Sequence, residues 1–192
     1  MPTAMRLVKL FPPRIPRRDG LSAVILPPMP PLSPYRSLPV ERRVALVTYE
    51  LKTQKEARSI FIQRLVGRGG GFRPASFQNW PAERLAQEVV KLKVESAQDE
   101  LGLMQTLYVD LEPAIQTTFL DAAGVKHTNG RIDEDSEPPF CGVDAVARAS
   151  SATIAAHGDE GARYLRTIHR YASESWPGLD TVIDGLEPPS AA

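Results

Sequence analysis

Ten of the eighteen prolines stand in the first forty residues. Proline lacks an amide hydrogen and fixes φ, so it is excluded from helix interiors and from central strands. A stretch carrying Pro12-Pro13, Pro27-Pro28 and Pro30-Pro31 has room for neither. Residues 1–40 are therefore expected to be a disordered, proline-rich basic arm. The fold must come from residues 41–184, with 185–192 as a flexible tail. Met5 and Met29 lie inside the arm as alternative starts.

Residues 1–18 are basic and residues 21–26 apolar, which has the outline of a targeting signal. The prolines at 27, 28, 30 and 31 cut the apolar run short of a secretory core and oppose the amphipathic helix of a transit peptide. Nowhere does an apolar run approach the roughly 18 residues of a membrane span. The expected location is the cytoplasm. With 42% apolar and 24% charged residues in a chain of 192, the composition is that of an ordinary globular protein. About 140 residues bury enough surface to need no staple, and the single Cys141 forms no internal bridge.

Charge is balanced overall but not along the chain. The first 80 residues carry fourteen basic and four acidic side chains, and those from Pro81 onward nine basic and nineteen acidic. Such asymmetry suits a nucleic-acid-binding arm, two halves that pack on each other, or pairing with another copy.

From residue 41 the pattern is helical. Val44, Leu46, Val47, Tyr49 and Leu51 fit neither helix nor strand cleanly, but a helix is the better reading of 43–51. Thr53-Gln54-Lys55-Glu56 has the form of a capping box, followed by Ala57, Ile60, Phe61 and Leu65 and a left-handed cap at Gly67. Pro81 is expected as a first helical residue before Leu85, Ala86, Val89 and Val90. Ser96 and Asp99 cap the next helix, the most buried, with Leu101, Leu103, Met104, Leu107, Tyr108 and Leu111. Pro113 opens a further helix with Ile115, Phe119 and Leu120 inward and Gly124 closing it. Asn129-Gly130 favours a two-residue turn and leaves room for one short β-hairpin within 125–140. A helix from about Asp144 stops at Gly158, and the last runs from about Asp159 to Ser173, ended by Trp176-Pro177-Gly178. The expected fold is an all-α, compact bundle of five to six helices.

Few of the residue patterns that carry chemistry survive a test of spacing. Gly69, Gly70 and Gly71 are followed by neither the Lys-Ser/Thr of a P-loop nor a helix in dinucleotide register. The string Arg68-Gly69-Gly70-Gly71-Phe72-Arg73 resembles one unit of the RGG boxes of RNA-binding proteins, in a single copy where those work as arrays. A calcium loop centred on Gly130 would put Val125 and Ser136 where Asp and Glu are required. His127, His157 and His169 lack metal-ligand spacing, and no Gly-x-Ser-x-Gly elbow occurs. An enzymatic site is left only to a convergence of Cys141, His157 and His169 in three dimensions. Cys141 by itself reads as a small buried hydrophobe, and His157 as a side chain suited to a helix C-terminus.

In the last helix Arg163, Arg166 and Arg170 fall within roughly 60° of one another, opposite Tyr164, Leu165, Ile168, Tyr171 and Ala172. Asp159 stands where it can pair with Arg163. The three arginines, with Arg68 and Arg73, are the candidate binding residues, for an acidic partner or phosphate. Neither a catalytic residue, a metal nor a cofactor is implied. The leading reading is a non-catalytic helical protein–protein interaction or regulatory module whose partner is another protein or a second copy. The alternatives are a nucleic-acid-binding protein using its basic N-terminal half, and an enzyme built around Cys141, His157 and His169.

Overall fold

The computed structural model describes residues 33–68, 73–92, 97–132 and 141–186. Residues 1–32 of the expected arm and 187–192 of the expected tail lie outside the described residues. The described chain is all-α, with eight α-helices, and none of them is long and apolar enough to cross a membrane. It divides into two packing units, residues 33–111 and residues 112–186.

In the first unit α1 (Val40–Thr53) is the common partner of α2 (Lys55–Gly67), α4 (Ala82–Val89) and a π-helical turn, Thr106–Leu111, that continues α5 (Ala97–Gln105); α3 (Pro74–Gln78) rests on α2. The buried face of α1 is Leu46, Val47, Glu50 and Leu51. That is a regular helical stripe with a carboxylate in one of its places, which is why the apolar residues alone fitted no period.

Residues 33–40 correct the expected boundary at Glu41. Tyr35 and Leu38 are 3% and 2% exposed, and the turn they form is tied to α5. The buried Glu100 carboxylate accepts the Ser33 hydroxyl and the Tyr35 amide, the latter at 3.0 Å. The two prolines of this segment, Pro34 and Pro39, stand in the turn and at the helix N-cap, where no amide hydrogen is needed.

Three local expectations give way. The Thr53 hydroxyl bonds back to the Tyr49 carbonyl at 2.8 Å and Gln54 caps α2 without a side-chain bond, so no capping box forms. Gly67 is the last helical residue, and the cap is Arg68 in the right-handed region. Pro81 is the N-cap of α4 and not its first residue.

The second unit is built on α6 (Pro113–Ala123), α7 (Val143–Ala172) and α8 (Leu179–Asp184). As expected, Ile115, Phe119 and Leu120 are buried and Gly124, at φ 75°, closes α6. Asn129 and Gly130 take φ 51° and 81°, and Thr128 and Arg131 close the turn by an isolated antiparallel bridge. The expected hairpin is thus a turn with one bridge over 128–131, and its remainder over 133–140 lies outside the described residues.

The helix spanning 143–172 is interrupted at Gly158, whose φ 55° and ψ −129° belong to a region that only glycine enters readily. In a straight helix Thr153 and Gly161 would be about 12 Å apart along the axis. Instead a Cβ on Gly161 would stand 2.5 Å from the Thr153 carbonyl oxygen, and one on Gly178 would stand 2.6 Å from Val143 Cγ1. The chain therefore doubles back, and residues 159–178 return along 143–157. The fold-back brings Tyr164 and Trp176 edge-on to Phe119, at 5.7 and 4.9 Å between ring centroids.

Gly158→Ala is expected to cost about 1–3 kcal/mol through the enforced backbone, and Gly161→Ala to destabilise through its contact with Thr153. Gly102→Ala, in a helix interior with open space around the new methyl, should gain up to about 1 kcal/mol. Thermal melts followed by circular dichroism measure all three, and equal midpoints would overturn the reading of the fold-back.

Candidate functional site

An exposed aromatic and cationic surface forms where α3 meets α4. The five-residue α3 ends at Gln78 with Asn79 as its cap, and the Arg58 guanidinium of α2 donates to the carbonyl oxygens of Gln78 and Trp80 at 2.9 and 2.6 Å. These bonds satisfy acceptors that a short helix leaves open. They also hold Trp80, whose ring meets buried Phe77 edge-on at 4.9 Å. The Arg84 guanidinium stacks over the outer side of the indole, 4.0 Å from its centroid. Trp80 is half-buried while Arg73, Pro74, Pro81 and Arg84 are exposed. Trp80 precedes a proline at a helix boundary, a position that reads from sequence as a core edge; Arg58 reads from sequence only as one of the basic residues of 41–80, and nothing in the sequence singles out Arg84, four residues after the tryptophan.

The five arginines singled out from the sequence fall in different surroundings. Arg68 and Arg73 are exposed and flank residues outside the described ones. Arg163, expected to pair with Asp159, bonds Glu160. Arg166 is half-buried, and burial, reinforced by the like charge of Arg163, lowers its guanidinium pKa while Asp159 acts the other way. Arg170 is exposed, 5.7 Å from the Tyr171 ring. The stripe is therefore graded in exposure along the helix.

Cys141 and His157 stand apart. Fourteen helical steps separate Val143 from His157, about 21 Å of rise, and Cys141 precedes the first of them. The Cys141 thiol is buried beside the Ala123 carbonyl oxygen, 3.7 Å away, and burial raises its pKa. His157 Nε2 lies 2.9 Å from the Thr118 hydroxyl. That hydroxyl also donates to the Ala114 carbonyl at 2.9 Å; its one proton cannot serve both, so the imidazole is the donor to Thr118. His169 pairs with Asp180 of α8 at 2.6 Å.

A polar cluster with no signature among neighbouring residues of the chain lies in the first unit. Glu50 is buried and accepts the Thr106 hydroxyl from the π-helical turn. Burial is the main cause of a raised carboxyl pKa, the Thr106 bond opposes it, and the like charge of Asp110 adds to it. Thr106 and Asp110 stand four apart on one face of the turn. A π-helical turn is rare and recurs at functional sites.

No family model, curated protein or solved structure matches this chain.

Because the Glu50 carboxyl is raised in the folded state, the stabilisation it contributes is complete below its unfolded value of 4.5 and is lost as pH climbs through the raised value. Glu50→Gln keeps the acceptor for Thr106 without the charge. It should melt above the parent at pH 8, with the gap closing toward pH 4; a constant gap across that range would count against the assignment. Cys141, buried with its thiolate disfavoured, should react with a thiol reagent at pH 7.5 far more slowly in the folded chain than in guanidinium chloride. Equal rates would contradict its burial.

Proposed function

We propose that this chain is a non-catalytic helical module that binds another protein, and that the Trp80 surface is its contact. The observation that carries the reading is the half-exposed indole held beneath Arg84, with Arg73 exposed at the other end of α3. Tryptophan and arginine are the residues most enriched among interface hot spots. An indole already fixed by Phe77 and by its backbone carbonyl's bond to Arg58 loses little freedom on binding. The exposed guanidinium groups suit a partner with acidic side chains around an apolar centre, which supplies both stacking area and ion pairs.

The same chemistry favours a second reading. Bases stack on exposed aromatic rings and phosphates pair with arginine, and residues 33–111 carry twelve basic against nine acidic side chains.

The experiment compares the parent with Arg73→Glu/Arg84→Glu in a pull-down from nuclease-treated lysate of the source cells, with circular dichroism as the check on folding. A protein retained by the parent and lost from the folded variant is the expected result; loss of one hot spot is worth about 2 kcal/mol, or roughly thirtyfold in affinity. Identical capture by both would overturn the assignment of the surface. Fluorescence anisotropy with a labelled oligonucleotide separates the second reading. Full-length protein should release the oligonucleotide at physiological salt, because neutralised phosphates give a steep salt dependence. Tight binding there would promote nucleic acid above protein as the partner.

A further inference from the structure

The turn at 128–131 is closed by groups whose hydrogen-bonding roles depend on one imidazole. The Gly130 amide donates to His127 Nδ1 at 3.1 Å, so Nδ1 carries no proton and the neutral ring holds its hydrogen on Nε2. Nε2 lies 3.0 Å from Asp121 Oδ1 on α6, which accepts that hydrogen. The His127 side chain is 9% exposed. Gly130 is buried, and its carbonyl oxygen accepts the Gln116 side-chain amide of α6. The turn is thus tied to α6 through Gln116 and through the chain Gly130–His127–Asp121.

We propose that His127 is a pH-sensitive latch that keeps the 125–132 segment closed on α6 while its ring is neutral and releases the turn when the ring takes a second proton. The proton adds at Nδ1, the only nitrogen with a free lone pair, and turns the acceptor of the Gly130 amide into a donor facing a donor. That amide, buried and carried by a glycine at φ 81°, must then find another acceptor, and the turn has to move for it to do so. The Nε2 contact behaves oppositely, since a charged ring pairs more strongly with the Asp121 carboxylate. Protonation therefore holds the ring on α6 while freeing the turn from the ring. Asp121 on α6 is the charged group in contact with the ring, and the segment itself carries Lys126 and Arg131, both exposed; Gln116 and Thr117, the α6 side chains nearest Gly130, are uncharged.

Nuclear magnetic resonance on the uniformly 15N-labelled full chain provides the test. At pH 8 the ring nitrogen shifts of His127 should report the Nε2–H form. Protection of the Gly130 amide against solvent exchange, corrected for the intrinsic rate, should fall by about tenfold or more in step with the His127 titration, while amides inside α6 keep theirs. His127→Asn offers a side-chain oxygen near the place of Nδ1 and does not titrate; its Gly130 protection should be independent of pH. A ring protonated on Nδ1 at pH 8, or Gly130 protection unchanged through the titration, would overturn the proposal. So would a His127→Asn chain that loses protection with the same pH dependence as the parent.

Discussion

A carboxylate can stay inside a helical core only if donors reach it, and residues 33–111 are organised around two that are so served. Glu100 collects the hydroxyl of Ser33 and the amide of Tyr35, which fastens the start of the described chain to a helix more than sixty residues away. Tyr35 is buried as a consequence; its phenol is pushed up to about 12 by that burial, with the Arg43 guanidinium over the ring acting against the shift. Glu50 takes the Thr106 hydroxyl from a π-helical turn, which joins α1 to the end of α5. Removing the Thr106 hydroxyl would take from buried Glu50 the bond that favours its charged form, a more costly defect than losing an apolar contact of similar size.

Residues 112–186 depend instead on one backbone conformation. Gly158 lets the helix reverse, Gly161 lets the two arms touch at backbone distance, and the returning arm supplies Tyr164 and Trp176 to the ring of Phe119. Edge-to-face packing of this kind adds about 0.5–1.5 kcal/mol for each pair beyond the area it buries. The arginine face of the returning arm is shaped by the same event, because its first residues lie at the bend. Arg163 and Arg166 are drawn partly inward there, while Arg170, farther along, stays exposed.

Two surfaces thus differ in what they offer a partner. The helical stripe of Arg163, Arg166 and Arg170 presents cations largely engaged by their own helix, with Glu160 holding the first. Around Trp80, aromatic area and guanidinium groups are presented together, with Phe77 edge-on to the ring and Arg58 bonded to the tryptophan's backbone carbonyl. A surface of that composition has much to gain from desolvation and little to lose in entropy, which is why the functional proposal rests on it.

Periodicity and punctuation were enough to find the longer helices, but not the five-residue α3 or the six-residue α8. The helix opened by Pro113 and closed by Gly124, the break at Gly158 and the Asn129-Gly130 turn were legible because each depends on local steric rules: a missing amide hydrogen, or a backbone angle that few residues tolerate. The capping box at Thr53 and the left-handed cap at Gly67 were misread because local alternatives won, the Thr53 hydroxyl bonding back to Tyr49 and the α2 cap falling on Arg68 in the right-handed region; the boundary at Glu41 was misread because it depends on a partner distant in the chain. Ser33 and Tyr35 are held by Glu100, and nothing near residue 33 announces it. Glu50 was invisible for the same reason; a glutamate in a helical stripe looks like a fault in the pattern until Thr106 is seen beside it. The candidate surface followed suit, with Trp80, Arg73 and Arg58 legible only as separate features and Arg84 not at all. Local backbone preference is written in neighbouring residues, whereas the burial of a charge, the presentation of a ring and the tautomer of His127 are set by groups that only folding brings within hydrogen-bonding reach.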